Sequence, residues 1–496
     1  MHRPFVSAAS ILGIAVFGVS LVAQQGQPQQ PPVRKHAHDL DASYIRMPLP
    51  PSEAAYGRLE GDRLKEFDKA IVAFALKYRD EGNLLWGRIA GTKNDELVEG
   101  WVEAKFKEFG LQDIHRQSFD LPPQWFPTSW EFRAAGGGKT LTPQSFRAAT
   151  GSKATPPEGL DLDPVWVGLG TESDFAGRDV KGKLAIIWSW PTPGVINNSA
   201  QWLGATKRAA DKGAAAVLTN LAIPGNFQIQ GGGAAAGVPS FTMGTDDTNA
   251  LRALMEAGPV KVHVKLTTET RSGLRDASVW GTLPGTSDED IIVMAHHDSV
   301  FTGALDNASG MSVMVGLAEY FSKIPKEQRR RTIKFVTTAG HHAGSFGTLW
   351  MHDNRATFLA KTAVMINCEH VSPTQTYYFG PNLRKSDNID ARRWWVNGSS
   401  KLASLVLSAY RTFGVTIYDE MEPNASGDMG HVARDAPSVQ MIESPAWYHT
   451  DHDTPEVVPA AGLEAVARAY AKIIDQVNKV ERRELLTEAQ ISSRDR

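Results

Sequence analysis

The chain has 496 residues, 42% of them hydrophobic, which is room for two or three domains with ordinary cores. Its 52 Lys and Arg against 55 Asp and Glu leave a net charge of -3, so neither the basic footprint of a nucleic-acid binder nor a polybasic membrane patch is present. The single cysteine, Cys368, excludes an internal disulfide framework.

His2 and Arg3 precede an apolar run over residues 5–23, and the polar stretch Gln24-Gln25-Gly26-Gln27-Pro28 follows. A basic start, an apolar stretch and a small residue before a polar break describe a signal peptide over 1–23, cut after Ala23. The alternative is an uncleaved anchor, because the run approaches bilayer-spanning length; its many small residues and the lack of a flanking positive charge favour cleavage. A secreted or periplasmic location is therefore expected, with no other membrane contact. Residues 24–42 are Gln/Pro-rich and read as a disordered linker.

Leu64, Phe67, Ile71 and Phe74 recur at helical spacing. A second helix is expected over 94–109, with Asn94 as its N-cap and Gly110 as its stop. From 125 to 272 the texture changes to short strands and Gly-rich turns: a strand over 182–188, a helix over 202–212 stopped by Gly213, a strand over 214–218, and the turn Gly231-Gly232-Gly233. After 273, strands and helices alternate. A helix over 311–321 carries Met311, Met314, Val315, Ala318 and Phe321 on one side, and the last helix carries Leu463, Val466, Ala467, Tyr470, Ile473, Ile474 and Val477. The fold class is α/β, a mixed, largely parallel sheet flanked by helices, built from 43–124 and 273–480, with 125–272 inserted and 481–496 as a C-terminal tail.

Four short apolar runs end in residues able to bind metal: His296-His297-Asp298, Gly340-His341-His342, Glu369-His370, and Tyr448-His449-Thr450-Asp451-His452-Asp453. Ligands of open α/β sheets gather beyond the carboxyl ends of the strands. One such histidine would be an ordinary surface or core residue, but four clusters at equivalent ends point to a metal site. Asp306, on a loop leading into a helix, would ordinarily be a turn or capping residue. Its two oxygens also make it the natural bridge between two cations.

These segments resemble metallopeptidase family 28, which holds secreted di-zinc aminopeptidases, glutamate carboxypeptidases and glutaminyl cyclase relatives. The resemblance rests on Gly87-Arg88-Ile89-Ala90-Gly91-Thr92, Met294-Ala295-His296-His297-Asp298-Ser299, the stretch from Asp306 to Gly310, and His449-Thr450 with Asp453-Thr454. Residues 180–218 are similar to the β-rich α/β protease-associated domain that interrupts some exported peptidases. The resemblance implies a zinc exopeptidase-like fold and one or two zinc ions. One ion would be held by Asp306, His342 and His449, the other by His296, Asp306 and Glu369, with Asp298 orienting His296.

Two departures stand out. His341 and His342 occupy the places of adjacent glutamates, a general base and a ligand, and Glu369 replaces a ligand aspartate. Ser426-Gly427-Asp428 echoes the family's serine-aspartate motif only loosely. Two carboxylates then serve where the family has three, which favours zinc through imidazole-rich ligation and weakens the second ion. His341 is either the replacement base or an outer residue. The implied function is an exported metallopeptidase, an exopeptidase acting on peptide or amino-acyl substrates, with no nucleic-acid partner. The alternatives are a single-zinc glutaminyl cyclase-like acyltransferase, for which Asp306, His342 and His449 suffice, and a binding protein that kept only the fold.

Overall fold

The computed structural model describes residues 40–189, 204–230 and 237–494. The signal peptide, most of the linker, Trp202 and the Gly231-Gly232-Gly233 turn lie outside the described residues.

Seven strands form the main sheet: β1 (Gln112–Asp120), β2 (Arg275–Leu283), β3 (Asp290–His296), β4 (Thr332–Thr338), β5 (Thr362–Cys368), β6 (Arg393–Asn397) and β7 (Ser438–Ile442). Their spatial order is β6-β7-β5-β3-β4-β2-β1. The central four, β4, β3, β5 and β7, run parallel, while β2, β1 and β6 are antiparallel to their neighbours. The middle strands are buried along almost their whole length, as their unbroken Val/Ile/Met runs require of strands covered on both faces. This is the expected α/β class.

Register matters most for function. His296 lies opposite Thr338, Met294 opposite Asn367, and Cys368 opposite Met441. The four parallel strands therefore end at nearly one level, and the segments after them emerge along a single edge.

Helices α1 (Gly61–Asp80), α2 (Lys93–Glu108), α3 (Gly310–Ser322), α4 (Ser400–Phe413) and α5 (Ala460–Val477) follow the expected stripes. Leu64, Phe67, Ile71, Met314, Val315, Phe321, Leu463, Tyr470 and Ile474 share one core, with Phe74 partly buried at its margin. Asn94 is not the N-cap of α2. Thr92 holds that position, and Asn94 instead spends its side-chain amide on the Phe74 carbonyl at 2.8 Å, pinning α2 to α1. The segment beyond 480 is docked rather than trailing: Leu485 is fully buried and its carbonyl accepts from Ser399 N at 2.9 Å.

The chain leaves the sheet at Asp120 and returns at Arg275, its register partner. Between them it builds two sheets of its own. One has four strands, including Gln124–Gly136 against Val260–Arg271, and the other has five, with Leu184–Ser189 and Ala216–Leu221 at its centre. Phe132, Phe146, Leu218, Phe241 and Val262 pack between them as a separate core. Exit and return are thus adjacent, on paired strands at one side of the main sheet.

Candidate metal centre

His296 closes β3, and burial is complete around its ring. Its Nδ1 proton is held by the Asp298 carbonyl at 3.1 Å, which leaves Nε2 facing the centre. The Asp298 carboxylate also accepts from His341 N at 3.1 Å and His342 N at 2.8 Å, fixing the short turn that follows β4. Burial works against ionising Asp298, but its contact with His296 and the field of the neighbouring histidines hold its carboxyl well below the usual range.

Asp306 sits on the loop between β3 and α3. The loop is clamped from outside by Asp453, whose two oxygens accept from Leu305 N at 2.7 Å and Asp306 N at 3.0 Å. Asn307 ties the same loop to the end of β5: its amide donates to the Cys368 carbonyl at 2.9 Å, and its oxygen accepts from His370 N at 3.2 Å. Gly310 is required here, because a Cβ would run into the Cys368 carbonyl. Arg88 completes the support, donating from a fully buried guanidinium to the carbonyls of His297, Thr302 and Gly303 at 2.7, 3.1 and 3.0 Å.

The result is a carboxylate with a pair of imidazoles on each oxygen. Asp306 Oδ1 lies 3.2 Å from His296 Nε2 and 3.0 Å from His370 Nε2. Asp306 Oδ2 lies 3.5 Å from His342 Nε2 and 2.8 Å from His449 Nε2. His370 Nδ1 donates to the Glu443 carbonyl at 3.1 Å, so its Nε2, like that of His296, presents a lone pair inward. Burial pushes His449 down to about 4, which keeps it neutral and able to coordinate at ordinary pH.

Of the expected residues, His296, Asp306, His342 and His449 converge. Glu369 does not take the place expected of it beside Asp306. Its Oε1 stands 4.0 Å from His296 Nε2, and its Oε2 accepts from Asn367 Nδ2 at 2.6 Å, Gln440 Nε2 at 3.3 Å and Asp428 N at 3.3 Å. The neighbouring His370 turns to the centre instead, on a residue with φ 48°. His341 lies against the centre, its ring stacked on His296 at 4.0 Å between centroids. Its Nδ1 donates to Asp428 Oδ1 at 2.7 Å, and the other Asp428 oxygen accepts from Thr338 Oγ1. Sequence patterning puts His370 in a metal-binding cluster and Asp428 in a loosely matched motif, but it assigns neither of them to the centre.

Among the described residues, the donor atoms of His296, Asp306 and His370 lie within 4.8 Å of one another, as do those of Asp306, His342 and His449, and those of His296, His341 and His342. His296 Nε2, His342 Nε2, His370 Nε2 and Asp306 Oδ1 are buried without a hydrogen-bond partner. Buried polar atoms are rarely left so, and lone pairs aimed at two common points are what a pair of cations would satisfy. Two ligands about 2.0–2.2 Å from one tetrahedral zinc stand about 3.4 Å apart. The separations to His296 and His342, 3.2 and 3.5 Å, lie near that spacing, while those to His370 and His449, 3.0 and 2.8 Å, are shorter and would open slightly around an ion.

Residues 278–474 match the family model for Peptidase family M28, a stretch that holds every residue of this centre. The aminopeptidase YwaD of Bacillus subtilis is 24% identical over 416 residues, 80% of this chain and 82% of that protein. A zinc aminopeptidase structure from Bacillus subtilis aligns at 19% identity with TM-score 0.62, covering 86% of this chain and 98% of that one. A peptidase M28 precursor from Shewanella amazonensis SB2B aligns at 17% identity with TM-score 0.68, covering 88% and 98%. At these identities the structural likeness speaks for the fold.

Proposed function

We propose that this chain, whose residues 278–474 match the model for Peptidase family M28, is an exported, zinc-dependent aminopeptidase whose centre is held by four histidines and one bridging aspartate. The observation that carries the reading is Asp306, each of whose oxygens faces its own pair of imidazoles. Imidazole-rich ligation favours zinc over magnesium or calcium. His296, Asp306 and His370 would hold one ion, and Asp306, His342 and His449 the other. The relatives named aminopeptidases support the class of substrate, and the apolar run over residues 5–23 supports export.

Zinc in this centre would polarise the scissile carbonyl and lower the pKa of the attacking water. The chain supplies the rest. With Nδ1–H held by Asp428, His341 presents Nε2 as a proton acceptor from a mostly buried side chain that is 15% exposed. His341 takes the proton of the attacking water and returns it to the leaving amine. Asp428 and Asp298 are positioning residues: the first sets the tautomer of His341, and the second sets the turn that carries it. Glu369 Oε1, 4.0 Å from both His296 Nε2 and His341 Nε2, is placed to receive the free ammonium of a substrate. The module over 124–271, which we take to be of protease-associated type, touches the centre through the loop of His449. Gln230 N donates to the His449 carbonyl at 2.9 Å, and Asp451 N donates to the Gln228 carbonyl at 3.1 Å.

The test is zinc analysis of the purified chain, paired with hydrolysis of amino-acyl anilides and their N-acetylated counterparts. Two zinc ions, cleavage of the free-amine substrates only, and loss of zinc and activity in His449→Ala are expected. A chain that held no zinc, or that cleaved blocked and free substrates equally, would overturn the reading.

A further inference from the structure

We propose that Asp95, Glu99, Asp276 and His297 form a second, buried metal site, for a divalent cation of the zinc or manganese kind, apart from the Asp306 centre.

Asp95 and Glu99 stand one turn apart on α2, Asp276 lies near the start of β2, and His297 follows His296 with its ring turned away from Asp306. Their exposures are 0, 3, 2 and 0% respectively. His297 Nε2 is 3.1 Å from Asp276 Oδ1, 3.4 Å from Asp95 Oδ1 and 3.9 Å from Glu99 Oε1. All four donor atoms lie within 4.8 Å of one another. The separations overlap those around Asp306 and bracket the roughly 3.4 Å expected for donors on a tetrahedral ion.

Charge points the same way. Three carboxylates are buried together, and the guanidinium on them, that of Arg116, pairs with the outer oxygen of Glu99. Asp95 Oδ2 accepts from Gly91 N at 2.9 Å, whereas Asp95 Oδ1, fully buried and aimed at the middle of the group, accepts no hydrogen bond. Burial and the mutual repulsion of the acids push Asp95 far up and Glu99 up to about 7. A proton would neutralise one acid and leave the others facing each other. A dication neutralises two charges and takes up the idle lone pair of Asp95. Three carboxylates with one imidazole suit zinc or manganese better than calcium, which takes six to eight oxygens, or magnesium, which keeps most of its water.

Access is at hand. A cavity of about 470 Å³ opens beside the group, lined by Glu96, Glu99, Arg116, Arg275 and Asp276 among others. An ion there would tie α2 to β2 and to the residue after His296, bracing the catalytic edge from behind. Its binding does not depend on peptidase activity.

The experiment uses the full chain, dialysed against zinc chloride or manganese chloride and then against metal-free buffer. Metal is counted per chain in the wild type, Asp95→Asn and Asp95→Asn/Glu99→Gln. The double variant is expected to lose one equivalent and to melt lower, with zinc at the Asp306 centre retained. Crystals of the wild type should show an anomalous peak among the four side chains. Equal metal counts in all three proteins, or no anomalous peak at the group, would overturn the proposal. So would a higher Tm in Asp95→Asn, the mark of an acid cluster relieved of repulsion. Should the double variant fail to fold, the anomalous map of the wild type decides by itself.

Discussion

Replacing His370 by alanine should strip the centre of one zinc, while replacing Glu369 by glutamine should leave both ions in place. The structure gives His370 a nitrogen 3.0 Å from Asp306 Oδ1, whereas Glu369 spends Oε2 on three protein donors. Structural zinc sites bind with about 10–16 kcal/mol shared over four ligands, so one ligand is worth roughly 2.5–4 kcal/mol. That corresponds to about 70- to 900-fold weaker binding of the affected ion. Glutamine at 369 keeps an acceptor oxygen and should change affinity less than about threefold by the same reasoning, because no bond to metal is lost. Competition with a chromophoric chelator reads both ions in turn, and cobalt substitution reports the change in coordination directly. If Glu369→Gln lost an ion while His370→Ala kept two, the assignment of the first metal's ligands would be wrong.

Asp428→Asn should lower kcat by about 10²–10⁴-fold, the usual worth of a positioned base, at unchanged zinc content, and flatten the acidic limb of the pH profile. His341→Ala should match it, and the double variant should add little, since the two act as one unit. Phe227 packs edge-on against His452 at 4.4 Å; Phe227→Ala should loosen the loop of His449 and weaken one zinc about 10–100-fold, read by the same chelator titration. Asp68 is wholly buried with neither oxygen hydrogen-bonded, and burial pushes it up to about 8. Its folded pKa exceeds its unfolded value, so the native state binds the extra proton and stability falls as pH rises from about 4 to about 8. Asp68→Asn should therefore raise stability at pH 7 by roughly 2–4 kcal/mol and by nothing below about pH 4, as urea melts at the two pH values will tell.

The sheet and the imidazoles at its edge are legible because two periodicities coincide. Unbroken Val/Ile runs such as 291–293 mark strands covered on both faces, and a histidine just past each run marks the exit. What cannot be read is which of two adjacent residues turns inward. After β5 the backbone enters φ 48° at His370, which swings that ring to Asp306 and leaves Glu369 to the side. A left-handed residue outside glycine is decided by tertiary packing, here by Asn307 accepting from His370 N, rather than by propensity. Asp428 is hidden for another reason: its partner His341 is 87 positions away, and a short loop with one aspartate carries no periodic mark. Asn94 reads as a cap because Asn favours caps, yet its amide has a better use in holding two helices together.

Histidines rather than carboxylates dominate the proposed centre, while its surroundings keep their carboxylates. In the proposed centre five ligand side chains would carry one formal negative charge between two dications. Behind them Asp298 holds the His341-His342 turn, Asp428 holds the His341 ring, and Asp453 holds the Asp306 loop. Compensation has moved one bond outward, from atoms that touch metal to atoms that touch the ligands. Coulomb attraction weakens with that distance, so the two ions should repel more and bind less equally than if further carboxylates coordinated them. The same imbalance strengthens the pull on a proton of any water held there, which eases its transfer to the neutral imidazole of His341, itself a stronger base than an ordinary carboxylate. An Asp–His pair at 428 and 341 and an imidazole-rich centre would thus act together: the pair positions the proton acceptor, and the centre acidifies the water that gives up the proton.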